Sequence, residues 1–265
     1  MNLQRRNNIN IYGAGRTTMV LVHGFGCDQS MWRHMVPAFE ATHRIIVFDL
    51  VGSGGSDLTA YDRIKYATLH GYARDLLEIV DSYADAPVVV VGHSVSAMIA
   101  LLAANAAPAK FAAQIMVGPS ACYIDEEGYR GGFSRADIED LLETMDSNYL
   151  GWSSTMAPAI MGAPDQPALG VELTNSFCRT DPDIAKHFAR VTFLSDHRAD
   201  LAHCTIPTLV MQCTDDLIAP MEAGEFIQRA IADSKLVLIE NTGHCPHLSA
   251  PDASIAAMRE FLAEP

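Results

Sequence analysis

No stretch of the 265 residues is long and apolar enough to suggest a bilayer span. The longest apolar run, Ala97 to Ala104, ends at Asn105, far short of the roughly 20 residues a spanning helix needs. Basic residues are scarce: 18 Lys and Arg stand against 32 Asp and Glu, a net charge of −14. A surface that acidic repels phosphate backbones and anionic lipid, so nucleic acid and membrane docking are poor expectations. The six cysteines (27, 122, 178, 204, 213 and 245) include no C-x-x-C pair, which reads as reduced thiols and not as a disulfide scaffold. No apolar segment follows Arg5 and Arg6 as a targeting signal would require. These absences together predict a cytoplasmic globular protein.

Two glycine clusters lack what a phosphate site needs. Gly13-Ala14-Gly15 has no third glycine and no helix behind it, so a hairpin turn is expected there. Gly52-Ser53-Gly54-Gly55-Ser56 lacks the P-loop lysine. His244-x-x-His247 has metal-ligand spacing but no third ligand nearby, and Pro246 stands between the two. The expectation is no metal and no cofactor.

What is present is a chain with 49% hydrophobic residues and a regular alternation of two patterns. Short apolar runs at 9–12, 19–22, 44–48, 88–91, 114–117, 208–212 and 236–239 read as strands covered on both faces. Between them run helical patterns. The clearest places Leu69, Tyr72, Ala73, Leu76, Leu77, Val80 and Tyr83 on one stripe, and others span 95–106, 221–232 and 252–262. Such alternation predicts an α/β fold with a mostly parallel sheet. It breaks between Cys122 and His203, where helix starts replace strands: Ser134 precedes one periodic segment, and Asp181-Pro182 opens another. An inserted helical subdomain at 122–203 is expected, on a core formed by 1–121 and 204–265.

The chemistry-bearing segment is Val88-Val89-Val90-Val91-Gly92-His93-Ser94-Val95-Ser96-Ala97-Met98. A buried strand meets a serine flanked two residues away by small side chains, and a helix follows. That is the context a G-x-S-x-G elbow requires, with Ser96 in place of the last glycine. A nucleophilic serine needs a base and an orienting acid, in chain order Ser, Asp, His. After the strand at 208–212 come Asp215 and Asp216, and after the strand at 236–239 comes His244. Spacing alone does not choose between the adjacent aspartates. The oxyanion hole is expected from the backbone N–H groups of Val95 and of Phe25, the latter in the glycine-flanked turn His23-Gly24-Phe25-Gly26. Tyr123, Phe133, Trp152, Met156 and Phe193 fall in the insertion and read as its core, as a lid over an apolar pocket, or as both.

The serine, aspartate and histidine contexts, Asp49-x-x-Gly52-x-Gly54-x-Ser56 and the insertion together resemble the α/β-hydrolase superfamily. Within it, five blocks resemble the bacterial RsbQ-like stress-signalling hydrolases: His23 to Trp32, Phe48 to Gly54, Met116-Val117-Gly118-Pro119-Ser120, Ser195-Asp196-His197-Arg198 and Gly243-His244-Cys245-Pro246-His247. Gly92 to Met98, with its Ser96, is more similar to the plant karrikin and strigolactone receptors. The resemblance implies an eight-stranded, mostly parallel sheet under a four-helix lid. It also implies a Ser94–His244–Asp216 triad, since the family's acid precedes an apolar stretch matched by Leu217-Ile218-Ala219-Pro220. Pocket positions carry over onto Phe25, Tyr123, Phe133, Trp152 and Phe193, with Met156 where plant relatives often have an aromatic residue.

Two functions follow as expectations. One is a monomeric serine hydrolase of a small apolar ester or butenolide-type lactone. The other is a ligand receptor with slow hydrolysis that acts through a signalling protein partner, such as a PAS-domain phosphatase.

Overall fold

The computed structural model describes residues 2–263. One sheet holds seven strands: β1 (Asn10–Tyr12), β2 (Thr17–Val22), β3 (His43–Phe48), β4 (Val88–His93), β5 (Phe111–Val117), β6 (Thr208–Asp215) and β7 (Ser234–Thr242). Their order is β1-β3-β2-β4-β5-β6-β7, and every pairing is parallel except that of β1 with β3.

The first helices are α1 (Leu3–Arg6), α2 (Met35–Phe39), α3 (Leu69–Tyr83) and α4 (Val95–Ala106). Between β5 and β6 lie α5 (Arg135–Ser147), α6 (Tyr149–Met161), α7 (Pro167–Arg179) and α8 (Pro182–Phe193). The chain closes with α9 (Met221–Ala230), α10 (Pro246–Ser249) and α11 (Pro251–Leu262). Among the described residues no helix is long and apolar enough to cross a membrane.

Strand residues alternate between two cores because successive side chains leave opposite faces of a sheet. Val20, Val22, Ile46, Phe48, Val88 and Val90 pack with the buried stripe of α3 and with α4. Met19, Leu21, Ile45, Val47, Val89 and Val91 pack instead with Trp32, Met35, Phe39 and Met258. Burial on both faces explains why β2 and β4 are unbroken apolar runs. At the edge, β7 is half exposed, and Leu238 faces outward.

A third core joins α5–α8 to the sheet's carboxyl end. It combines lid residues such as Ile138, Trp152, Leu173 and Phe177 with Cys27, Ile218, Cys245 and Leu248 from the sheet's own loops. The local signals act as their chemistry dictates. Ser134 and Asp137 form a reciprocal capping box on α5, and the Asp181 carboxylate accepts from the Asp183 and Ile184 amides to start α8.

Two expectations need correction. The sheet has seven strands and not eight, because the residues before β1 fold as α1. Buried Arg6 ties that turn to Asp75 and Glu78 on α3. Gly13-Ala14-Gly15 is not a hairpin turn. β1 and β2 lie on opposite sides of β3, so the loop between them crosses over the start of β3, against the backbone of Glu40, Thr42 and His43.

Candidate active site

Ser94 sits between β4 and α4 with φ 57° and ψ −125°, a strained conformation for a side-chain-bearing residue that costs about 1–3 kcal/mol. The surroundings hold it there: its amide donates to the Val117 carbonyl at 2.8 Å, and its own carbonyl accepts from Ala97 at 2.9 Å. α4 returns so tightly on β4 that a Cβ at Gly92 would lie 2.3 Å from the Ser96 carbonyl oxygen. Ser96, the departure from G-x-S-x-G, has a use. Its hydroxyl donates to the carbonyl of His23, at the end of β2 and just ahead of the oxyanion turn.

His244 bridges the serine and an acid. Its Nε2 lies 2.7 Å from Ser94 Oγ and its Nδ1 2.7 Å from Asp216 Oδ2. Both imidazole and carboxylate are buried. The second Asp216 oxygen accepts from the Ile218 and Ala219 amides at 2.8 and 3.2 Å. Burial pushes the Asp216 pKa up, but His244 and these two amides outweigh it and hold the carboxyl below its ordinary range. An ionised Asp216 keeps the His244 proton on Nδ1 and leaves Nε2 to accept from the serine. Asp215 is exposed at the end of β6 and makes no such contact.

Among the described residues, neither the Phe25 nor the Val95 amide donates to an acceptor. Two free N–H groups beside the elbow are what a developing oxyanion requires. His93, between Gly92 and Ser94, is buried; burial first and the neighbouring His244 second push its pKa down to about 3. Neutral, it donates from Nε2 to the His244 carbonyl at 3.0 Å and so helps seat the base. His247 faces the core instead, its ring 4.7 Å from that of Trp32 and 4.5 Å from that of His93. Among the described residues no cluster of His, Cys, Asp and Glu could hold a metal ion.

The cavity over Ser94 is small, about 30 Å³. Of the pocket residues expected from sequence, Phe25, Tyr123 and Phe193 line it; Phe133, Trp152 and Met156 do not. The reason is how α6 approaches: only its last turn reaches the pocket, through Ile160. Trp152 lies one layer back, stacked on Phe177 with centroids 5.7 Å apart, while Met156 and Phe133 border the lid core. Sequence reading missed Cys27, Leu173, Phe177, Thr192, Ile218 and Cys245. Cys27 and Cys245 were within reach, being neighbours of the oxyanion turn and of His244; the lid residues Leu173, Phe177 and Thr192 carry no motif. Burial pushes both thiols up, so they are neutral lining groups. A wider groove beside β1 and β3 contains none of the triad residues. Its buried Asp49 is already satisfied by the Gln29 and Gly55 amides and the Asn8 side chain.

Comparison with known proteins agrees with this geometry. A profile of the "Alpha/beta hydrolase family" matches residues 19–257. The chain is 35% identical over 261 residues to karrikin insensitive 2 receptor CA of Petunia hybrida, covering 98% of this chain and 97% of that one. It is 36% identical over 262 residues to strigolactone esterase D14 of Arabidopsis thaliana, covering 98% and 96%. A solved hydrolase from Oleispira antarctica superposes with a TM-score of 0.97 at 42% identity, over 100% of this chain and 97% of that one. With a parallel sheet that carries a strained serine at its elbow, and with relatives this similar over nearly their whole length, the chain belongs to the α/β-hydrolase family.

Proposed function

We propose that the protein is a serine hydrolase that cleaves a small apolar ester or butenolide-type lactone through an acyl-enzyme on Ser94. One observation carries the reading: a single imidazole lies 2.7 Å from both Ser94 Oγ and the Asp216 carboxylate. His244 Nε2 takes the Ser94 proton as Oγ attacks the carbonyl carbon. The Phe25 and Val95 amides receive the oxyanion, and Asp216 stabilises the imidazolium. His244 then gives the proton to the leaving oxygen, which in a lactone stays on the acyl chain. A water activated by the same imidazole releases the acid and restores Ser94.

The substrate is small because the cavity over Ser94 is narrow. It is apolar because phenylalanine, aliphatic and neutral cysteine side chains form most of the wall. Residues 122–203 act as the lid and the two flanking segments as the catalytic core, working in the cytoplasm without a metal or cofactor.

The test is turnover of a p-nitrophenyl acetate series and a fluorogenic butenolide, wild type beside Ser94→Ala, with intact-mass analysis after each incubation. Fast multiple turnover that vanishes in Ser94→Ala is the expected result. Equal turnover by the variant would overturn the role of Ser94. The similarity to a karrikin insensitive 2 receptor favours a second reading, in which slow hydrolysis serves sensing through a protein partner. A single burst with a retained adduct, and a partner captured only with ligand, would support that reading.

A further inference from the structure

Two hydroxyls of the pocket wall, those of Thr192 and Tyr123, have no hydrogen-bond partner in the protein and are not used by the proposed chemistry. Thr192 lies on α8, lines the space over Ser94, and is buried to 1% exposure. Its hydroxyl has no hydrogen-bond partner in the protein. That is unusual, because a helical serine or threonine has an acceptor at hand in the carbonyl one turn back. Ser153, Ser154, Thr155 and Thr174, on the neighbouring lid helices, each give their hydroxyl to the residue four positions earlier. Thr192 does not. A buried hydroxyl without a partner is unfavourable, and valine would fill the same volume without that penalty.

We infer that Thr192 is a specificity residue: its hydroxyl binds a second oxygen of the substrate, beyond the scissile carbonyl. This rests on the hydrolase reading above and narrows it. The preferred acyl group then carries an ether or ketone oxygen on its lid-facing side, while the rest of the pocket stays apolar. Tyr123 presents the other unpartnered hydroxyl of the pocket, but it lies beside Ser94 and has a polar neighbour within the protein. The Thr192 hydroxyl has no hydrogen-bond partner in the protein, so the ligand is left to supply one. A site that hydrogen-bonds a substrate oxygen discriminates against the analogue that lacks it, because the protein group is then left unpaired.

The experiment compares kcat/KM for two near-isosteric pairs of p-nitrophenyl esters: methoxyacetate with butyrate, and levulinate with 4-methylpentanoate. Wild type, Thr192→Val and Thr192→Ser are measured, with Ser94→Ala as background. Differences in intrinsic reactivity cancel when each ratio is compared between variants. The expected result is that Thr192→Val lowers the oxygenated-to-hydrocarbon ratio about five- to tenfold for at least one pair. Thr192→Ser should restore the ratio. Ratios that Thr192→Val leaves unchanged for both pairs, in a protein that melts like wild type, would overturn the role of Thr192 alone. Absence of Ser94-dependent turnover of all four esters would overturn the hydrolase reading itself.

Discussion

The two halves of the site are held by different parts of the molecule. Ser94 belongs to the sheet: β4 and α4 flank it, β5 takes its amide, and the Ser96 hydroxyl ties the elbow to β2. His244 belongs equally to the lid. Its amide donates to the Ile160 carbonyl on α6, and the Thr242 carbonyl just before it accepts from Ala163. Ser94 is therefore held by the core, whereas the position of His244 depends on how the lid is seated. Changes under the elbow should unfold the protein; changes under the base should first disturb catalysis.

The largest effects are expected at the proposed triad, where the two halves meet. Ser94→Ala and His244→Ala are expected to lower kcat by four to six orders of magnitude, and Asp216→Asn by three to four. Asp215→Asn, one residue away and exposed, should stay within twofold. Steady-state kinetics on an active ester decide this; an Asp215 effect as large as that of Asp216 would mean the acid is misassigned.

A pair of glycine substitutions separates the halves. At Gly92 an added Cβ meets the backbone of Ser96 at 2.3 Å, inside the core, where neither strand nor helix can yield. Gly92→Ala should lower stability by about 3 kcal/mol or more, read from chemical denaturation. At Gly243, with φ 115°, an added Cβ would meet the Met161 carbonyl oxygen at 1.9 Å, at the seam between the base loop and α6. There the lid can give way. Gly243→Ala is expected to reduce kcat about a hundredfold, the penalty for shifting the base by an ångström or so, with a smaller loss of stability than Gly92→Ala. The reverse ranking would show that the lid, and not the sheet, is the rigid half.

The same division decides what was legible in the sequence. The sheet core was readable because burial on both faces leaves a strong pattern: α3 and α4 span the segments expected, and every strand lies where an apolar run marked it. Strand ends were less legible. β6 runs on to Asp215 and β7 to Thr242, since pairing between these two strands continues past the apolar residues. That Ser94 and His244 meet was legible from motif and order, whereas choosing Asp216 over Asp215 as the partner of His244 needed the family resemblance. Lid contacts were the least legible. Which residues of an amphipathic helix face a pocket depends on its angle to the sheet, and no spacing in the sequence encodes that. Trp152 and Met156 were drawn toward the pocket by their chemistry, yet Ile160 and Phe177 reach it.

Beneath both halves lies a buried histidine pair that acid should attack. His93 and His247 are neutral in the folded protein, with pKa values held down by burial first and by neighbouring histidines second. Unfolded, each titrates near 6.5. Because the unfolded chain binds the extra protons, stability falls as pH drops below about 6.5. The slope is about 1.4 kcal/mol per pH unit for each histidine, and for His93 it continues down to about pH 3. Asp216 adds to the loss only at lower pH, since a depressed carboxyl withdraws its contribution as the pH falls below its unfolded value. Urea titrations between pH 7 and 5 should show a slope that rises toward two protons as the pH nears 5, reduced by up to one in His93→Gln. A flat profile would mean that both rings can take a proton without leaving the core.

The smallest effect sharpens the comparison most, because it lies wholly on the sheet side. The Ser96 hydroxyl and the buried His23 carbonyl form one hydrogen bond between the elbow and the strand that leads to the oxyanion turn. Ser96→Ala removes the donor, leaves the carbonyl short of a partner and changes little volume, so about 1 kcal/mol of stability should be lost. If that bond only braces the core, kcat/KM for a small ester stays within about threefold. If it also sets the distance between the Val95 and Phe25 amides, kcat falls while KM holds, because oxyanion contacts tighten only in the transition state. The α4 backbone and the β2–β4 pairing already fix both amides without Ser96, so the first outcome is expected. A loss of tenfold or more in kcat would show that the sheet half, too, depends on a single side-chain bond for its catalytic geometry.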